Sequence, residues 1–494
     1  MKSLFANVVA FLLVFVFVCS PVWATCGGGG GGGGGGTSGS GGSGGGSTSN
    51  PVVYHVPWKN VRTEKDPAIA SGLVLYWFPA SKDELQKSTL RESRALSLYA
   101  AQCVTMQLAD QREPNAEKLI GGSKLPVAVL ATPDGTPLNK LENTAGKLKV
   151  ADVEKLVGTE VKTREAALDA TLKDAKAKAA AGENAEAIKL YKTVAAEKCM
   201  FAKKAKDAAK ELKKLGAENI GEIPETSPIF EAKTSALIVQ TMKRGLIAEN
   251  KAQYVLADKL YSRAHKMDLA DPTPLRYLGE LHRHHTGDWD KAKIEFHQIL
   301  DMQADPLSRA VALHSLGKIT IHEGEFKKGL HLMEDSVAEY PLALAYRNIA
   351  VYWNSEGELE KAAGFTQKAF DLDPNDPYNH VFSAVFMAAA GKKDEALKIA
   401  MANINLLPAS YNLAAIFALT GQRDKALAIL KRHFYQYERY HAVREKEMME
   451  ARVDAVFASI VHDKDFLDLT KFADGKLPMV MSPRQAAEPL RMDH

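Results

Sequence analysis

RAVALHSLGKITIHEGEFKKGLHLMEDSVAEYP spans Arg309–Pro341. Gly324 parts two runs of helical spacing, and Gly329 lies five residues beyond it, with Met333 a further four on. A small side chain lets two helices approach closely, and a larger one four positions on fills the gap on the same face. The arrangement recurs along the chain. Turn-type glycines stand at Gly287, Gly324, Gly357, Gly391 and Gly421, with separations of 37, 33, 34 and 30 residues. Each is followed by a matching pair: Ala292 with Phe296, Gly329 with Met333, Ala362 with Thr366, Ala396 with Ala400, and Ala426 with Leu430. Earlier copies use Gly182, Ala187 and Tyr191, then Ala257 and Tyr261. A shared period of this size predicts stacked helical hairpins from about Thr163 to Phe434.

The clearest copy carries Leu316-Gly317, Gly324, Gly329, Met333, Ser336 and Pro341 in order. The next carries Ile349-Ala350, Trp353, Gly357, Ala362, Ala369 and Pro374, with Asp373-Pro374-Asn375 as the turn between repeats. This pattern resembles the tetratricopeptide repeat. Two intervals depart from it, so an extended linker is expected around 304–307 and a shortened one around Leu407 and Pro408. The pattern lapses between Leu212 and Ser235, where Pro224-Glu225-Thr226-Ser227-Pro228 reads as a linker. Residues 161–232 are therefore expected to form a helical hairpin and linker, and 233–437 a solenoid. The resemblance implies a concave surface lined by the first helix of each pair, which takes extended peptides or helices, and hence a binding scaffold rather than an enzyme.

Helical phase nominates the side chains of that surface. Opposite the packing positions lie Arg276, Glu280, Arg283 and His284, then Val311, His314, Lys318 and His322, then Leu344, Arg347, Val351 and Asn354. The candidate peptide-binding set is Arg276, Arg283, His284, His314, Lys318, His322, Arg347 and Asn354. Arginine offers a fork to carboxylate and asparagine can fix a peptide backbone, so an acidic or C-terminal-carboxylate ligand is expected. The alternative is an ordinary solvated charged face. His282, His284, His285, His314, His322 and His331 invite a metal reading. His314 and His322 are eight positions apart, about two turns, which is too far to share an ion without another helix, so no metal is expected.

Ahead of the repeats, residues 55–160 alternate strands and helices. Gly72–Phe78 is a short apolar run of the kind that makes a buried central strand, ended by Pro79. Lys82–Leu98 has helical spacing, Val104–Leu108 reads as a second strand, Ala116–Ile120 as a short helix and Leu125–Leu130 as a third strand. An Asp134-Gly135 turn, a short strand and a closing helix over Val150–Leu156 come after it. From Trp58 through Asn115–Leu119 to Leu125-Pro126-Val127, this order resembles a thioredoxin-like domain. The resemblance places a CxxC after the first central strand, where a helix N-terminus lowers a thiol pKa. Here that stretch is Pro79-Ala80-Ser81-Lys82-Asp83-Glu84, without a thiol. The module is expected to be redox-inactive, with Leu125 and Pro126 bordering a residual peptide groove. The predicted fold class is therefore multi-domain, an α/β thioredoxin-like domain followed by an all-α superhelical solenoid, and mostly α overall.

The first residues predict export. Lys2, the apolar run Val8–Val18 and Val22-Trp23-Ala24 make a signal peptide over 1–24, too short to span a bilayer comfortably. Residues 25–54 read as a Gly/Ser-rich flexible linker, with Cys26 a candidate lipidation site that would make the chain a surface-anchored structural component. The expected location is periplasmic, cell-surface or extracellular. A formal net charge of +3 gives no nucleic-acid signature. No GxSxG, HExxH or phosphate-cradling loop occurs, and no cofactor motif. Cys103 and Cys199 fall in different expected domains and are read as separate thiols, with a thiol oxidoreductase using Cys103 as the rival function. Residues 438–472, with Asp454, Phe457, Asp465 and Phe466, should cap the array, and 473–494, with Pro478, Pro483 and Pro489, form a loose tail.

Overall fold

A computed structural model describes residues 51–60, 69, 71–113, 115–143, 146–217, 223, 226–437 and 441–471. The signal-peptide stretch, Cys26, the glycine tract and the 473–494 tail lie outside the described residues.

The sheet module comprises β1 (Lys59–Asn60), β2 (Leu73–Phe78), α1 (Lys82–Lys87), α2 (Arg94–Ala101), β3 (Val104–Leu108), α3 (Ala116–Ile120), β4 (Val127–Ala131) and β5 (Pro137–Glu142). Its strand order is β1-β3-β2-β4-β5, with β3 parallel to both β1 and β2, and β4 antiparallel to β2 and β5. The apolar runs of β2 and β4 lie at the centre of this order, where both faces are covered. The Leu125–Pro126 peptide bond leading into β4 is cis. The helix expected over Lys82–Leu98 is instead broken into α1, a 3₁₀ turn at Thr89–Arg91, and α2. Ser81 starts the first of these, and Ser88 and Ser93 cause the two breaks. Ser81, Ser88 and Ser93 each turn a side-chain oxygen onto a backbone N–H two or three residues ahead, starting the helix every time.

The next helix, α4 (Val150–Ala180), runs for 31 residues and passes through position 160 without interruption. Its first half packs Val153 and Val157 into the sheet core, and its second half packs Leu168, Leu172 and Ala175 against α5 (Asn184–Ala196) and α6 (Ala202–Lys214). Sheet and hairpin thus share one core, in which Trp77 and Tyr191 are both buried.

Six helix pairs complete the array. They are α7 (Ala232–Asn250) with α8 (Tyr254–Met267), α9 (Pro272–Glu280) with α10 (Trp289–Asp301), and α11 (Pro306–His322) with α12 (Phe326–Glu339). Then come α13 (Ala343–Ser355) with α14 (Leu359–Leu372), α15 (Pro377–Ala389) with α16 (Lys393–Asn403), and α17 (Tyr411–Leu419) with α18 (Arg423–Arg432). The small/large stripe lies inside the pairs: Ala292, Phe296, Met333, Ala362, Thr366, Ala396, Ala400, Ala426 and Leu430 are all buried. Where α11 meets α12, a Cβ on Gly317 would sit 2.8 Å from the carbonyl oxygen of Gly329. Asp-Pro opens three of the first helices: Asp271, Asp305 and Asp376 cap α9, α11 and α15 with Pro at the next position. The last helices among the described residues are α19 (His441–Val453) and α20 (Lys464–Leu469), whose Phe466, with Phe457 and Met448, closes the core around α17.

Five of the six pairs turn on a left-handed glycine, from Gly287 at φ 66° to Gly324 at φ 94°. The first pair turns on Ala252 at φ 55°. A Cβ in that region costs roughly 1–2 kcal/mol, only part of which glycine returns as backbone entropy in the unfolded chain. Ala252→Gly is expected to raise stability by about 1 kcal/mol. A denaturant midpoint that is unchanged or lower would contradict the strain argument.

Candidate functional site: the inner face of the helix array

The first helices of successive pairs pack on one another, α9 on α11, α13 on α15 and α15 on α17, so they form the inner layer of the array. That layer carries the basic stripe nominated from sequence, but its side chains are largely answered from within.

Arg276, on α9, is 2% exposed. Its guanidinium lies 5.8 Å from the Tyr277 ring centroid, and Nε and Nη1 have no hydrogen-bond partner among the described residues. After α9 the helix widens into a π-helical turn over Leu281–Thr286 before Gly287. This turn sets Arg283 against Glu280, at 2.7 Å and 3.2 Å from its two carboxylate oxygens. Glu280 also accepts the Ser315 hydroxyl of α11. Burial opposes its charge, but Arg283 and Ser315 outweigh it and hold the Glu280 carboxyl down at about 2.

His284 stacks on His285, and His285 on Tyr254 at 4.6 Å. His314 is buried, with Nε2 2.6 Å from the Asn348 side-chain nitrogen. Burial and the charge of Arg283 push both His284 and His314 down to about 3, so both rings are neutral at pH 7. Arg347 is 7% exposed and donates to Asp376 at 2.8 Å and Asn379 at 2.5 Å, with the Tyr378 and Phe382 rings beside it. His322 lies against Trp289, with ring centroids 5.7 Å apart. Lys318, His322 and Asn354 are half-buried.

The expectation of an open basic face is thus corrected at Arg276, His314 and Arg347, which are buried. Burial has two causes. The first is the polar chain Arg283–Glu280–Ser315, His314–Asn348 and Arg347–Asp376, which crosses from α9 through α11 and α13 to α15. The second, which bears on Arg276 alone, is a covering segment whose His55 feels the Arg276 charge. Residues 51–58 have no helix or strand, yet Val53, Tyr54, Val56 and Trp58 are 1–7% exposed. Val53 and Tyr54 join the core of α7, α8 and α9, and the Tyr54 hydroxyl donates to Asp271 at 2.6 Å. Val56 and Trp58 join the sheet core, where Trp58 Nε1 donates to the Leu90 carbonyl at 2.9 Å. Further along, the Tyr340 hydroxyl donates to the Trp58 carbonyl at 3.1 Å, and Lys59 bonds to the Glu339 carbonyl. His55 is pushed down to about 3 by burial and then by the charges of Arg276 and Arg91. The segment therefore spans from the start of α9 to the end of α12, between the array and the sheet module.

The same seam holds a buried ion cluster. Arg94 of α2 donates to Asp271 at 2.9 Å, to Asp268, to the Ile229 carbonyl at 2.8 Å and to Ser235 at 2.6 Å. Sequence reading passed over Tyr54, Arg94, Asp268, Asp271 and Asn348. The repeated Asp-Pro pairs mark Asp271 as a cap, but not that a distant arginine reaches it.

A second departure concerns the cysteines. Cys103 and Cys199, 96 positions apart in sequence, form a disulfide with Cα atoms 5.9 Å apart. The uninterrupted α4 folds the α5–α6 turn back against the start of β3, which brings the two cysteines together.

Among the described residues no helix is long and apolar enough to cross a membrane. No family model and no curated protein matches the chain. Solved structures similar to it include a thermophilic tetratricopeptide repeat protein of Thermus thermophilus, at 18% identity and TM-score 0.31, covering 37% of this chain and 99% of that one. Another is a tetratricopeptide repeat protein of Parabacteroides merdae, at 15% identity and TM-score 0.29, covering 47% and 97% respectively. The TPR2AB domain of yeast Sti1, in a pHSP90 complex, matches at 14% identity and TM-score 0.20, covering 51% and 99%.

Proposed function

We propose that this chain is an exported protein-binding scaffold with no catalytic activity of its own, taking a partner segment on the inner face of its helix array. The observation that carries the reading is the seat of residues 51–58, a stretch without helix or strand that is buried beside the array and held by hydrogen bonds of Tyr54 to Asp271, the cap of α9, and of Tyr340, just past α12, to Trp58. A surface that accommodates the chain's own extended backbone has the shape and polar groups to accommodate another. Lys2 to Ala24 supports export. The sheet module is read as thioredoxin-like, with no redox thiol at the position where such domains carry CxxC. Supporting this are β2 flanked by β3 and β4, the cis bond before β4, and the thiol-free stretch Pro79–Glu84.

The partner is proposed to be an acidic segment or a free C-terminal carboxylate. Arg276 and Arg347 are buried, and recognition is assigned to Lys318, His322 and Asn354 on α11 and α13 because these three are partly exposed. Fluorescence anisotropy on the full chain, with acidic peptides ending in a free carboxylate or in an amide, tests it. Amidation, and separately Lys318→Glu, should each weaken binding roughly tenfold. Equal affinities for both peptide forms and both proteins would discard the carboxylate reading.

A further inference from the structure

The Cys103–Cys199 bond lies where three parts of the fold meet. Cys103 precedes β3 in the sheet module, Cys199 sits in the turn between α5 and α6, and Gln303 reaches them from the loop between α10 and α11. Both cysteines are half-buried rather than sealed in the core. A cavity of about 310 Å³ opens at this junction, and both Gln102, the neighbour of Cys103, and Gln303 line it together with Ala101, Met302 and Leu275.

The two sulfurs are not equivalent. The Gln303 side-chain nitrogen donates to the Cys199 carbonyl and lies 3.0 Å from Cys199 Sγ. None of the described hydrogen bonds places a donor on Cys103 Sγ. Thiol–disulfide exchange runs faster when the departing sulfur is the better leaving group, and an N–H aimed at a sulfur favours its thiolate.

We propose that the Cys103–Cys199 disulfide is an exchange site for a protein dithiol, with Cys103 Sγ the sulfur attacked and Cys199 the leaving thiolate held by Gln303. In the first step the incoming thiolate forms a bond to Cys103 Sγ as the S–S bond breaks, and its electron pair leaves on Cys199. In the second, the other thiol of the dithiol, as thiolate, displaces Cys103 and closes its own disulfide. Two protons are taken up by Cys103 and Cys199. The net change is two-electron reduction of this bond and oxidation of the dithiol. The α5–α6 turn is then no longer tied covalently to the sheet module. The proposal does not depend on peptide binding by the array.

The test uses the full-length oxidised protein under native conditions. Brief exposure to glutathione, quenching with N-ethylmaleimide and peptide mass mapping should find glutathione on Cys103 and maleimide on Cys199. Reduction by dithiothreitol should slow roughly tenfold in Gln303→Leu. It should slow at least as much in Gln303→Glu, whose negative charge opposes the departing thiolate. Circular dichroism checks that each variant is folded, and the mapping on the unaltered protein stands whether or not they are. Glutathione on Cys199, or equally on both cysteines, overturns the assignment. So do unchanged rates in the folded variants, or a native bond that opens only at the rate of global unfolding.

Discussion

Cys199→Ser should cost the folded chain about 4–5 kcal/mol. The bond closes a loop of 96 residues, and in the chain-entropy account a loop of that size restricts the unfolded ensemble by about 4.7 kcal/mol at 25 °C. Serine keeps a group that Gln303 can bond, so the substitution isolates the covalent tie from the local contacts. The expected loss is a large fraction of the roughly 5–15 kcal/mol of a typical domain. Urea unfolding of the oxidised protein, the reduced protein and Cys199→Ser measures it. The latter two should agree with each other and fall well below the first. A loss under about 1 kcal/mol would mean that α4 and the shared core already hold the α5–α6 turn against β3 in the unfolded ensemble.

Arg94→Ala should destabilise by about 3–5 kcal/mol, the range for removing one partner of a buried ion pair. Arg94 is 5% exposed, Asp268 2% and Asp271 0%, so no solvent reaches the carboxylates left behind. The same guanidinium satisfies the Ile229 carbonyl and Ser235, which holds the start of α7 to α2. Removing it strips charge compensation and four hydrogen bonds from the seam between the sheet module and the array. Adding Asp268→Asn to Arg94→Ala should recover part of the loss, because one stranded charge is gone. A double-mutant cycle with no coupling between the two positions would refute the account.

The repeats were legible in the sequence because their signal is steric and local. A small residue at Ala292 or Ala426 and a filling one at Phe296 or Leu430 must share a helix face, and all four are buried. The strands were legible for a similar reason, since Val104–Leu108 stands as expected and the apolar run after Gly72 becomes β2. The run Lys82–Leu98 misled because its apolar spacing is helical while its serines compete for the backbone. Residues 51–54 were grouped with the flexible linker, yet Val53 and Tyr54 are buried by helices about 200 positions away, which no local pattern encodes. The disulfide was missed for one reason: a domain boundary placed at 160 divides two parts that α4 joins. The basic stripe shows the limit of helical phase. Phase says which side of a helix a residue occupies, but not whether another part of the chain lies over it.

That 31-residue helix has a further consequence, which is one of phase as well as distance. At about 1.5 Å per residue, α4 is a strut roughly 46 Å long, and each added residue also rotates its far end by about 100°. A single residue inserted near position 160 would swing the α5–α6 turn about a quarter of the way round the axis. Cys199 would then face away from Cys103, and Tyr191 away from the core it shares with Trp77. The chain can take up extra length at its loops between repeats, where each turn resets direction. At this waist it behaves like a keyed shaft, in which length and orientation cannot be changed separately.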